Sequence, residues 1–262
     1  MIFPLALLVT WGCTPAETRS STPLPEITSD PTPPSLTAQD FSDQLATALH
    51  ELPDPGEALD YYVELMSFGD STCPGDPLHM LDNAAHGCTS EDGYFFSGVT
   101  YYEAGEWDDG EVYVYETLAG DFWITSPNAE EFIEGGGHVV RAESESERNL
   151  EVQGSWNASL DTQWLADGFS GVFQATLYDA GFSLYQAAIS SGAVTFAISD
   201  VTVYAECDWE GEGLFELRDE NGNWYWMELS ACDPCGEVWV GDESIGTTCL
   251  DLSGLNPEGK GG

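Results

Sequence analysis

Apolar side chains recur at helical spacing over only two short stretches of this 262-residue chain, both in its first third. In "TAQDFSDQLATALHEL", residues 37–52, Phe41, Leu45, Ala48, Leu49 and Leu52 line one helical face. Thr37 can cap this helix, Asp40 suits its positive first turn, and Pro53 and Pro55 end it. A shorter helix is expected at about 57–67, with Leu59, Tyr62, Val63 and Met66 on one face and Gly69 as its stop. From about residue 93 the period changes from 3.6 to two. Aromatic and β-branched runs alternate with polar positions and are punctuated by turn residues, the signature of antiparallel strands. Strands are predicted at 94–103, 111–117, 120–126, 137–143, 150–159, 170–178, 182–189, 193–198, 201–207, 213–219, 223–230, 236–240 and 244–250, with turns at Asp179–Gly181, Ser190–Gly192 and Asn221–Gly222. No strict sequence repeat is evident, although the spacing is regular. The expected fold is therefore α+β and mainly β: a short N-terminal helical pair followed by a long antiparallel β-meander or sandwich.

The strongest local signal is "LFELRDENGNWYWMEL", residues 214–229. Asn-Gly is the preferred pair for a two-residue type I′ hairpin. With Asn221 and Gly222 as the loop, Leu217 faces Trp226 and Asp219 faces Trp224, while Arg218 faces Tyr225 and Glu216 faces Met227. Both faces then mix apolar with charged side chains, which favours a sandwich or a covered sheet and leaves an aromatic surface.

The chain begins with a short apolar run, "MIFPLALLVTWG", that stops at Cys13. The run is much shorter than the roughly 20 apolar residues of a membrane-spanning helix. It fits the apolar core of an export signal, with small Gly12 before a cleavage point. Residues 5–13 resemble the signal of a bacterial lipoprotein. The resemblance implies that Cys13 is acylated and becomes the new N-terminus, and that Thr14 directs the protein to an outer membrane or cell surface. The Pro, Thr and Ser of residues 14–36 have little to bury and read as an extended tether. The expected organisation is a signal peptide at 1–12, a lipidated Cys and disordered tether at 13–36, a helical segment at 37–72, a disulfide-bonded β domain at 73–255 and a flexible tail at 256–262.

Charge narrows the partners. The chain carries 47 acidic and 5 basic residues, a formal net charge of −42. Such a surface repels phosphate backbones and anionic headgroups, so nucleic acid is excluded as a partner. A hydrophobic content of 42% with 12% aromatic residues marks a folded chain and not a disordered acidic one. The acidity admits three readings: a solvated surface resistant to aggregation, partial neutralisation by Ca2+, or adaptation to high salt.

Once Cys13 is assigned to lipid, Cys73, Cys88, Cys207, Cys232, Cys235 and Cys249 remain, an even number that suggests three disulfides in an exported protein. In a meander, Cys207 and Cys232 fall at the same end of the sheet, as do Cys235 and Cys249, leaving Cys73 to pair with Cys88. The competing reading of "CDPC" at 232–235 is a redox pair or a zinc site. The redox pair is disfavoured because a strand follows the motif instead of a helix, amid acidic residues that would raise a thiol pKa. A zinc site from Cys207, Cys232, Cys235 and Cys249 is disfavoured because an oxidising compartment favours disulfides.

No catalytic or metal signature emerges. His79 and His86, with Asp82 nearby, lack helical ligand spacing and read as loop residues. No nucleophile elbow, P-loop, dinucleotide fingerprint or zincin motif is present. With this many carboxylates, no pair of them is informative about glycoside hydrolysis. Eight tryptophans follow the signal. Trp224 and Trp226 stand two apart on one strand and share a face, which makes them the candidate ligand-binding pair for stacking on sugar rings. The first functional expectation is a cell-surface lipoprotein with a non-catalytic structural or binding role, held to the membrane by its N-terminal lipid. A polysaccharide-binding module, with Ca2+ as its potential cofactor, comes second; a protein partner is the other expectation, and a glycan hydrolase ranks third.

Overall fold

The computed structural model describes residues 33–252, apart from 51, 82–83, 109–111, 161, 179–180, 192–193 and 208–209. The expected signal with Cys13, the tether as far as residue 32, Asp82, Trp209, the turn residues Asp179 and Gly192, and the tail from 256 lie outside the described residues.

Two helices come first. In α1 (Ala38–His50) the cap is reciprocal: Asp40 N–H donates to Thr37 Oγ1 at 3.2 Å, and Thr37 N–H donates back to Asp40 Oδ2 at 2.9 Å. The hydrogen bonds from Thr37 hold the Asp40 carboxyl below its usual pKa. In α2 (Pro55–Met66) Asp54 is the N-cap, accepting from Gly56 N–H at 2.8 Å. Pro55 is thus the first residue of α2 and not part of the stop after α1. It has no N–H to leave unpaired, and its fixed φ suits a helix start.

The strands follow: β1 (Cys88–Thr89), β2 (Phe95–Asp108), β3 (Val112–Thr125), β4 (Phe132–Glu143), β5 (Glu147–Ala158), β6 (Phe169–Tyr178), β7 (Gly181–Ser191), β8 (Val194–Tyr204), β9 (Glu210–Arg218), β10 (Trp224–Leu229), β11 (Cys235–Val240) and β12 (Glu243–Cys249). A single-turn helix, α3 (Gln163–Ala166), sits between β5 and β6. Each strand pairs antiparallel with its neighbours in sequence, giving one twelve-stranded sheet in the order β1 to β12. The meander, and not two separate sheets, is the arrangement found.

Three sequence expectations are corrected. The predicted strands 111–117 and 120–126 are one strand, because Leu118–Gly120 pairs on both sides instead of turning. The strands 193–198 and 201–207 are likewise one strand, β8. Their apparent break is a bulge between Ser199 and Thr202, where Asp200 adopts φ 53°. The 214–229 hairpin is not a two-residue turn. Asp219 N–H donates to Asn223 O at 3.0 Å, so residues 220–222 form the loop, with Gly222 at φ 89°. A type I′ turn needs positive φ at both central residues, and here only the glycine has it. The register therefore slips by one: Leu217 faces Tyr225 and Glu216 faces Trp226. Phe215, Leu217, Tyr225, Met227 and Leu229 are all buried, while Trp224, Trp226 and Glu228 turn outward.

The other strands follow the same division, with an inner face that is mainly apolar and carries a few bonded polar side chains such as Thr100. Phe96, Leu118, Phe122, Ile133, Val152, Trp156, Phe173, Leu184, Ile198, Phe215 and Val238 belong to one core with the apolar faces of α1 and α2. Helix α2 lies on β3–β5, and α1 lies on β8, β11 and β12. Each large side chain here contributes about 2 kcal/mol by leaving water. Tyr62 of α2 is fully buried, donating to Leu78 O at 2.9 Å and sharing a hydrogen bond with Thr100 Oγ1 at 2.6 Å. Burial pushes its hydroxyl pKa up. Two arginines pin α2 to the sheet: Arg141 holds Glu116 and reaches Asp60 at 3.2 Å, and Arg148 spans Asp54 at 3.3 Å and Glu143 at 2.6 Å.

Three disulfides join Cys73 to Cys88, Cys207 to Cys232 and Cys235 to Cys249. These are the pairs expected from the strand order. Cys232 and Cys235 therefore each pair outside the "CDPC" segment and do not form a redox couple with one another.

Gly120, Gly137, Gly154 and Gly171 stand 17 residues apart in sequence, one on each of β3–β6. Each pairs directly with the next across the sheet. Their φ values are 154°, 138°, 111° and 149°, and a Cβ on any of them would lie 1.9–2.3 Å from a carbonyl oxygen of the adjoining strand. The row crosses the sheet transversely, and at this level the backbone of four consecutive strands adopts a conformation, and approaches its neighbours to a distance, that only glycine allows.

Candidate functional site

Alongside the glycine row, the outer face of the sheet carries a groove of about 710 Å³ across β2–β6. This volume falls within the usual range for ligand pockets, about 300–1,000 Å³. Register explains its lining. In one transverse row Ser97 pairs with Trp123, Trp123 with Glu134, and Glu134 with Asn157. In the next row Asp121 pairs with Gly136, Gly136 with Ser155, and Ser155 with Ser170. All of these point outward because their neighbours Phe122, Gly135, Trp156 and Phe169 point into the core.

Gly136 leaves the floor open. A Cβ placed there would meet nothing nearer than Asp121 Oδ1, at 3.9 Å, and the backbone has ordinary strand geometry. Trp123 forms a wall. It is 47% exposed, propped edge-on by Phe95 with ring centroids 5.6 Å apart. Asn157 Nδ2 donates to Glu134 Oε1 at 3.3 Å, while Asn157 Oδ1 is buried with no hydrogen-bond partner. Ser155 Oγ donates to Ser170 Oγ at 3.3 Å. No ion pair or side-chain hydrogen bond engages Asp121 among the described residues. The groove thus offers a flat aromatic face, two carboxylates, an amide and three hydroxyls, and its lining contains no lysine, arginine or histidine.

The residues singled out from sequence lie elsewhere. Trp224 and Trp226 do share the outer face of β10, and Trp224 is 41% exposed. The Arg218 guanidinium sits 6.0 Å from the Trp224 ring, at the limit of a cation–π contact. Trp226 is half-buried and stacked on Trp239 of β11 at 5.7 Å and 12°, so one of its faces is already covered. His79 Nδ1 is 2.9 Å from Asp76 Oδ1, and His86 is exposed. Among the described residues no three His, Cys, Asp or Glu side chains are grouped to hold a metal.

Sequence reading overlooked Trp123, Asp121, Glu134 and Asn157. The available signal was the set "GDFW" (120–123), "EGGG" (134–137), "GSWN" (154–157) and "FSG" (169–171). The glycine comes first on β3 and β5 and last on β4 and β6, because alternate strands run in opposite directions. A same-direction repeat search misses this pattern. No protein-family model, curated protein or solved structure matches the chain.

Proposed function

We propose that this is an exported binding protein, lipid-anchored through Cys13, that holds a saccharide in the groove at Trp123. The observation that carries the reading is the groove itself. An exposed indole faces a trough with a glycine floor, beside carboxylate, amide and hydroxyl groups able to hydrogen-bond a polyol. Aromatic rings stack on the apolar face of a pyranose while polar neighbours take up its hydroxyls. Three disulfides support an extracytoplasmic compartment, and the lipobox-like segment ending at Cys13 supports attachment to an outer membrane or cell surface.

The test uses the full chain. Cys13→Ser is expected to move the protein from the membrane fraction to the soluble one; retention at the membrane sinks the anchoring. Trp fluorescence against a panel of surface polysaccharides is expected to saturate with at least one of them. That response should be lost in Trp123→Ala and in Gly136→Phe, which fills the trough. A flat panel overturns the saccharide reading. The exposed Trp224 beside Arg218 supports a second reading, in which the ligand lies on β10. Loss of binding in Trp224→Ala with Trp123→Ala unaffected would select it.

A further inference from the structure

The charge of the groove says more about the ligand than its shape does. Arginines in the described residues are committed elsewhere: Arg141 and Arg148 to carboxylates under and beside α2, and Arg218 to the Trp224 ring. Many carboxylates of the sheet are matched locally by neutral or basic donors. Glu103 accepts from Tyr101 and Tyr115, Glu131 from Tyr94, Glu212 from Tyr204, and Glu151 lies 2.7 Å from His138. The two groove carboxylates differ from these. Asp121 has no such partner among the described residues, and Glu134 has only the Asn157 amide, at 3.3 Å. They flank an exposed indole whose π-face attracts cations, in a molecule whose net charge of −42 favours cations near a cleft lined by carboxylates.

We propose that the groove's ligand is an amino saccharide, a pyranose oligomer bearing protonated amines; the inference rests on the saccharide reading above and adds its charge. The ring stacks on Trp123, an ammonium group sits between Asp121 and Glu134, and the ring hydroxyls reach Asn157, Ser155 and Ser97. Acidic glycans are rejected, because the groove has no cation to meet a sulfate, phosphate or uronate. The four strands from Ser97 to Asn157 span about 14 Å at the usual separation of about 4.8 Å, which suits a short oligomer better than a single ring.

Calorimetry on the full chain, with short β-1,4-linked glucosamine oligomers and their fully N-acetylated counterparts, tests this directly. The two probes share a backbone and differ in charge. The glucosamine oligomer is expected to bind about tenfold or more tighter, and to weaken as NaCl is raised from about 0.05 to about 0.5 M. Asp121→Asn combined with Glu134→Gln keeps the shape and removes both charges, and should abolish that preference. Trp123→Ala should weaken both probes. Equal binding of the two oligomers, each lost in Trp123→Ala, overturns the charge inference and leaves the saccharide site standing. Binding of neither oligomer overturns the amino-saccharide inference, and the polysaccharide panel then decides the broader reading. Glucosamine binding that is indifferent to Trp123→Ala is attraction to the polyanion as a whole, and also overturns the proposal.

Discussion

Asp219 shows how single carboxylates are used in a chain with so few cations. It is buried at the base of the β9–β10 hairpin and accepts hydrogen bonds from Ser35 Oγ at 2.8 Å, Tyr225 Oη at 3.0 Å, and the Asn223 main-chain and side-chain nitrogens at 2.8 and 3.0 Å. Burial alone would raise its pKa, but the bonds from Asn223, Ser35 and Tyr225 outweigh it and hold the carboxyl well below the usual range. Tyr225 Oη in turn accepts from the N–H groups of Ser35 and Leu36, so this carboxylate ties residues 35–36 to the β9–β10 hairpin. The sign follows from the depressed pKa. The stabilisation is complete above the unfolded value of about 3.9 and is lost as pH falls through the lower folded value. Asp219→Asn is therefore expected to lower stability in urea at pH 7 by about 1–3 kcal/mol. Its deficit against the parent should shrink steadily on acidification below about pH 4. A deficit independent of pH would mean that the carboxylate's charge is not what is being bonded.

At the scale of elements, the row of paired glycines makes a sharp comparison possible between neighbours in sequence. Gly137 is in the row, with φ 138° and Gln153 O only 2.0 Å from where a Cβ would stand; Gly136 faces the open groove. Gly137→Ala should cost about 2 kcal/mol or more, through strain and displacement of the β5 carbonyl. Gly136→Ala should stay within about 0.5 kcal/mol of the parent, as surface substitutions do. Thermal melts of the two variants check this, and similar melting points would deny the row its structural role. The strands themselves were legible because period-two alternation survives even where one face is wholly buried. The hairpin register was not. Asn221-Gly222 fits two loop types, and choosing the shorter one put Trp224 and Trp226 on a face with Phe215 and Leu217. The resulting mixture of charged and apolar side chains on both faces was a sign of slippage, since a one-residue shift exchanges the faces of one strand against the other. The site was illegible for a related reason. Alternation says that Trp123 and Trp156 lie on faces defined by their own strands, but not which of the two faces the core. Only the cross-strand register brings Trp123, Glu134 and Asn157 into one line.

For the whole molecule, the salient balance is between 47 acidic residues and the means available to accommodate them. Tyrosine hydroxyls do much of what lysine and arginine do elsewhere: Tyr94, Tyr101, Tyr102, Tyr115 and Tyr204 each donate to a glutamate, at 2.6–3.1 Å. In return, burial and Glu116 push the Tyr102 hydroxyl up to about 12, and burial and Glu131 do the same to Tyr94. A neutral donor is not screened by salt, whereas repulsion among surface carboxylates is. The melting temperature is therefore expected to rise monotonically with NaCl from low salt to about 1 M. A fall would mean that attractive ion pairs dominate the surface. A different consequence follows from the place of α1. The first helix of the fold rests on the last strand, with Ser42 Oγ donating to Cys249 O at 2.7 Å across a separation of 207 residues. Its apolar stripe has no complete seat until β11 and β12 have been supplied. Contacts so distant in sequence make for slow folding. A chain delivered from its N-terminus must carry this helix without its β11–β12 support until residue 249 is in place, and one cut short before β11 would leave its apolar stripe covered only in part, by β8. The presence of β11 and β12 is thus built into the topology as a condition of solubility.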